Sequence, residues 1–194
     1  MYRWVYRLLA LFALAVGCLP TPGYAQGRAN VGDLLTAASL TEADVPRGLA
    51  QDRTRGGLRT ADNGTLTYTV AFVADGSGDR TLMGVLNQLA QYPDAATGMD
   101  AVTERYRTNL SGNRTDLAPP AVGEASRAFT VTSSAMGGAM STTTAVVALR
   151  RADVVASVAV ASLGGTPQVD MAVSLAQAVD RRLTAALGAG PSGG

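Results

Sequence analysis

Two sets of carboxylates stand at spacings that chemistry uses. Asp75, Ser77 and Asp79 alternate as the oxygen ligands of a calcium loop do, but such a loop needs Gly at its sixth position and Glu at its twelfth, where this chain has Arg80 and Leu86. A hairpin loop, with Gly76 and Gly78 supplying positive φ, accounts for the same residues. Asp100 and Glu104 lie one helical turn apart, so a single face would present both as an acid and a base. Like charges at that spacing normally stay solvated, and Arg105 and Arg107 stand nearby to neutralise them. Arg53, Arg55 and Arg59 offer guanidinium forks to an anionic headgroup or an acidic partner. The competing role is to guard a sheet edge against stray strand pairing. The strongest binding candidate is the loop holding Met136, Gly137, Gly138 and Met140, where glycines permit movement and methionines give adaptable apolar contact. The plain alternative is a long loop beside a hairpin, with Met140 packed inward.

The missing residue types exclude more than the present ones establish. The chain has no His and no Lys, and Cys18 is its sole Cys. Ser-His-Asp and Cys-His catalysis are therefore absent, as are lysine Schiff bases and zinc sites built from His or Cys. No cofactor is expected, and no disulfide can form within the chain. Arg3 and Arg7 aside, fourteen arginines face fifteen acids without a basic stripe, which argues against nucleic acid as a partner.

Arg3 and Arg7, the apolar run Leu8 to Val16 and the breaker-rich exit to Ala25 have the order of a secretory signal peptide over residues 1–25. Two exits compete. Gly23-Tyr24-Ala25 suits cleavage before Gln26, releasing the protein. Leu14-Ala15-Val16-Gly17-Cys18 resembles a bacterial lipoprotein box, with Ala15 where Leu is usual, and would place a lipid on Cys18. Contact with a membrane is expected only through that lipid. The apolar run is well short of the ~20 residues that span a bilayer.

After a linker at 26–30, residues 31–187 read as one α+β domain, followed by a frayed tail at 188–194. A short helix is expected from Val31 to Ala38, then an edge strand from Leu49 to Arg55. Thr65 to Val73 alternates with Leu66, Tyr68, Val70 and Phe72 on one face and threonines mostly on the other. Leu82 to Tyr92 returns as a second strand, and Pro93 starts a helix carrying Met99, Val102, Tyr106 and Leu110 on one side. Ser111 to Pro120 reads as a loop and Ala125 to Thr132 as a strand with Phe129 inward. Met140 to Leu149 and Val154 to Ala161 form a hairpin whose β-branched content marks central strands. Thr166-Pro167 opens the last helix, with Val169, Val173, Ala176, Val179, Leu183 and Leu187 inward and Asp170, Asp180, Arg181 and Arg182 in water. A ββα-type unit thus occurs twice. The expected architecture is an antiparallel sheet of about five to six strands, covered on one face by two main helices.

Leu34-Leu35 with Leu40 to Pro46, Gly123-Glu124-Ala125-Ser126-Arg127-Ala128-Phe129 and the hairpin from Val146 to Val155 carry a resemblance. Together with the two helices they are similar to the LpqN-type lipoproteins, small extracytoplasmic actinobacterial proteins with a PsbP/Mog1-like α/β sandwich. The resemblance implies a non-catalytic surface adaptor, partner-binding module or ligand-sensing domain, and no family binding residue has a match here. The expected function is a non-enzymatic binding module of the bacterial cell envelope, holding an unidentified protein or apolar ligand on the sheet face or under residues 133–140. A hydrolase using carboxylates, Ser or Tyr would instead need two acids in one pocket with opposed pKa shifts. A structural envelope protein would show a large apolar patch.

Overall fold

The alternating segment at Thr65 to Val73 forms the strand around which one half of the sheet is laid. The computed structural model describes residues 25–61, 64–79, 81–135 and 140–188. In chain order the elements are α1 (Ala25–Ala38), β1 (Leu49–Gln51), β2 (Gly57–Thr60), β3 (Leu66–Ala74), β4 (Leu82–Gln91), α2 (Ala95–Asn109), β5 (Asn113–Leu117), β6 (Ala125–Ala135), β7 (Met140–Arg151), β8 (Val154–Leu163) and α3 (Val169–Gly188). Residues 1–24 of the signal segment, Cys18 among them, lie outside the described residues, as does the tail at 189–194. Residues 26–30, expected as a linker, belong to α1. No helix among the described residues is long and apolar enough to cross a membrane.

The strands form one antiparallel sheet in the order β1-β3-β4-β8-β7-β6-β5, with β2 pairing to β3 beside β1. The hairpins β3–β4 and β7–β8 meet along β4 and β8, which puts β8 at the centre. The ββα pattern does occur twice, yet the sheet has eight strands rather than five or six, and helices cover both faces rather than one. The cause is visible in β7 and β8, which bury successive side chains on opposite faces. Ala145, Val147 and Leu149 join the core under α1 and α3, whereas Val146 and Ala148 join the core under α2. A continuous apolar strand needs a cover on each side.

Four further expectations change. β5 lies in the segment expected as a loop; its side chains are almost all exposed, so no apolar alternation marked it. The edge strand stops at Gln51 and resumes at Gly57, and Arg53 and Arg55 sit in the turn between. Pro93 precedes α2 by two residues, and Asp94 is the cap, its Oδ1 accepting from the Ala96 N–H at 3.0 Å. Thr166-Pro167 likewise stops short of α3, which opens at Val169.

On α3 the buried stripe is Ala172, Leu175, Ala176, Val179 and Leu183. Asp180 and Arg182, expected in water, are half-buried anchors. Asp180 receives Arg151 Nε at 2.6 Å and the Gly123 N–H at 3.0 Å, and Arg182 reaches Asp44 at 2.8 Å and the Ser39 carbonyl. The Arg151 hydrogen bond outweighs burial and holds the Asp180 carboxyl below its usual range. At Asp44, burial pushes upward but bonds from Thr41 and Arg182 prevail, so it too is lowered. Groups with depressed folded pKa values stabilise the fold above their ordinary 3.8, and that stability is lost as pH falls through the folded value. The unfolding midpoint should therefore be level near neutrality and drop as pH falls below about 4. In Asp180→Asn the neutral-pH midpoint should be lower and this acid limb shallower in thermal scans across pH.

Candidate functional site

Strand alternation sets Thr67, Thr69, Ala71 and Val73 on the face of β3 opposite its apolar side chains. Pairing extends that face across the sheet. Thr69 stands opposite Gln88, Ala71 opposite Leu86 and Val73 opposite Gly84, while Leu86 and Gly84 in turn face Ala159 and Ala161 of β8. Helix α2 packs on β7 and β8, with Met99, Val102 and Tyr106 buried against Phe129, Val146 and Val155. The β2–β3–β4 end of the same face is left as an open cleft of ≈ 360 Å³.

The two ends of this cleft differ in chemistry. At one end, Arg59 of β2 pairs in register with Thr67, and Arg105 reaches in from α2. Arg105 Nη1 donates to Gln88 Oε1 at 2.7 Å, and Gln88 Nε2 donates to Thr69 Oγ1 at 3.3 Å, so the amide is held between a cation and a hydroxyl. At the other end the lining is mostly apolar, with Ala71, Val73, Gly84, Leu86, Ala159 and Ala161, and Thr144 of β7 stands opposite Ala161. Gly84 follows a register shift in β4, and a Cβ there would lie 2.6 Å from the Phe72 carbonyl oxygen. Only glycine lets β3 approach so closely. The depression is thus built from small side chains and one bulge.

No family model, curated protein or solved structure matches this chain.

Electrostatics at the cleft favour an incoming anion. Arg55 is already paired with Asp52 at 3.1 Å. The one carboxylate among the described residues of the lining, Glu104, is occupied by Arg107, whose hydrogen bonds hold it below the usual carboxylate range. Arg59 and Arg105 have no carboxylate partner among the described residues. Tyr106 shares a 3.2 Å hydrogen bond with the Ser157 hydroxyl, and burial pushes its own hydroxyl upward, so it stays protonated.

The other candidates fall elsewhere. Met136, Gly137 and Gly138 lie outside the described residues. Met140 begins β7 opposite Ala135, is 40% exposed rather than packed inward, and does not line the cleft. Asp75 accepts from the Ser77 N–H and hydroxyl, and Asp79 does the same with Thr81, as hairpin-loop Asx turns do. No group of metal-ligating side chains occurs among the described residues. Asp100 is paired with Arg127 of β6 at 2.6 Å, and Arg105 serves Gln88 instead of the carboxylates. Of the three edge arginines, Arg55 and Arg59 reach the cleft and Arg53 does not.

Sequence reasoning missed Thr67, Thr69, Gln88 and Arg105 as a set. The threonine face was legible as the polar side of β3. Placing α2 beside it required the second helical layer, whose signal was the apolar runs Ala145–Leu149 of β7 and Val154–Ala161 of β8, the latter broken only by Ser157.

Proposed function

We propose that this protein is a non-enzymatic, extracytoplasmic binding module of the bacterial cell envelope whose ligand sits in the cleft beside α2. The observation that carries the reading is the cleft itself. It combines a small-residue apolar floor with a few convergent polar groups fixed by their own hydrogen bonds, the usual make-up of a small-molecule site. The signal-like N-terminal segment supports export, and the resemblance to LpqN-type lipoproteins agrees with a binding role. Binding rather than turnover is supported by the state of the acids. Seven carboxylates (Asp44, Asp52, Asp75, Asp79, Asp94, Glu104 and Asp180) are held below their ordinary range, the reverse of what a general acid needs. Among the described residues one acid, Glu104, lines the cleft. The exposed large apolar side chains among the described residues are Leu58 and Met140, on separate strands, which favours a binder over a self-assembling structural protein.

The test is to fill the cleft. Ala161 is half-buried on β8 and projects into it, so Ala161→Trp should occupy the apolar end. Titration with N-phenyl-1-naphthylamine, a neutral apolar fluorophore, should show saturable binding to the parent protein. The variant should bind about tenfold more weakly or worse, since excluding a few buried methylenes is worth more than 1.4 kcal/mol. Unchanged binding by a folded Ala161→Trp variant would place the ligand elsewhere.

A further inference from the structure

We infer that the ligand of this cleft is a small aliphatic amphiphile with a single acidic head, its head at the Arg59–Arg105 end and its chain on Ala71, Leu86 and Ala159. The inference rests on the cleft being the binding site and adds the class of ligand.

Register fixes the polarity of the cleft along the strands. Arg59 lies beside Thr67 and Gly57 beside Thr69, so the cation, the hydroxyls and Gln88 share neighbouring positions on β2, β3 and β4. Two residues further along β3, the facing pairs become Ala71 with Leu86 and then Val73 with Gly84. On β8 the matching positions are Ala159 and Ala161. A ligand lying along β3 therefore meets guanidinium and hydroxyl groups first and mostly small apolar side chains after them, with Thr144 of β7 opposite Ala161 at the far end. That gradient matches a molecule with one charged end.

The charge balance fixes the sign. Glu104 and Arg55 are satisfied by Arg107 and Asp52, which leaves Arg59 and Arg105 as the charges of the lining without an ion-pair partner among the described residues. Arg105 has one nitrogen on Gln88 and four further N–H donors, and a guanidinium presents them as a fork that fits an acidic oxygen pair. The aromatic residues of the lining, Phe72 and Tyr106, are almost fully buried, so no ring face is offered for stacking a base or a sugar. An aliphatic chain needs no such face.

Displacement of bound N-phenyl-1-naphthylamine by sodium decanoate and by 1-decanol separates head from chain, because the two competitors share a ten-carbon chain and differ in charge. Decanoate should displace the fluorophore at about tenfold lower concentration than decanol, as charge-assisted hydrogen bonds imply. Acetate, a head without a chain, should not displace it. In Arg59→Gln/Arg105→Gln the decanoate-to-decanol ratio should fall to about one, with either single variant intermediate. Arg53→Gln removes the same charge outside the cleft and should keep the ratio. Equal potency of the two competitors on the parent protein, or an equal loss in Arg53→Gln, would overturn the acidic head while leaving the cleft as a site. Absence of any saturable fluorophore binding would remove the site and this inference with it.

Discussion

Phe129→Ala is expected to destabilise the protein by about 3–5 kcal/mol, the largest loss of any single truncation on the α2 side. Phe129 is fully buried on β6. The Tyr106 ring meets it edge-on at 6.1 Å between centroids, and the Arg114 guanidinium lies 4.0 Å from its ring centre. Truncation removes the ring from the core, the aromatic pair and the surface on which Arg114 rests, three losses that fall on one helix–sheet contact. For a domain of this size the thermal midpoint should fall by about 10 °C or more. Hydrogen exchange should accelerate in α2 more than in α3, because only α2 sits on this cluster. Equal acceleration in both helices would contradict a core divided by the sheet.

Leu183→Ala, on the opposite side, should cost about 2–5 kcal/mol. Leu183 is fully buried in the core that α3 shares with Leu35 of α1 and the inward residues of β3, β4, β7 and β8. The two truncations have no buried neighbour in common, since Phe129 belongs to the other cluster. In the double variant their costs should add to within about 0.5 kcal/mol in denaturant titrations. A coupling well beyond that would indicate one merged core, which is the arrangement expected if both helices lay on a single face.

Much of the fold was legible because local signals and tertiary packing agree. The alternation of Leu66, Tyr68, Val70 and Phe72 became β3 with that face inward, and Met99, Val102 and Tyr106 became the buried side of α2. The Arg151-Ala152-Asp153 turn joins β7 to β8, with Ala152 in the left-handed region at φ 51, an unusual place for a residue with a Cβ. The missed features lack such signals. β5 is a charged edge strand held by pairing to β6, with Arg114 and Asp116 bonded to each other across its outer surface. Asp180 and Arg182 looked solvated because helical spacing alone does not show that Arg151 and Asp44 reach them from other elements.

The cleft was the least legible feature, and for a related reason. Its floor is a row of threonines and alanines that reads as the solvent side of a strand. Its cationic end joins Arg59 from one edge to Arg105 from a helix forty-six residues later. The packing of α2 on the threonine face, set by the two-sided apolar strands β7 and β8, brings these residues together.

The most direct measurement is amide chemical-shift mapping of the isotope-labelled protein during titration with N-phenyl-1-naphthylamine. The largest saturable shifts are expected at Thr67, Thr69, Leu86, Gln88, Ala159 and Ala161. Shifts centred instead on Met140 or on the outer strand β5, with the threonine face of β3 unmoved, would contradict the cleft as the binding site.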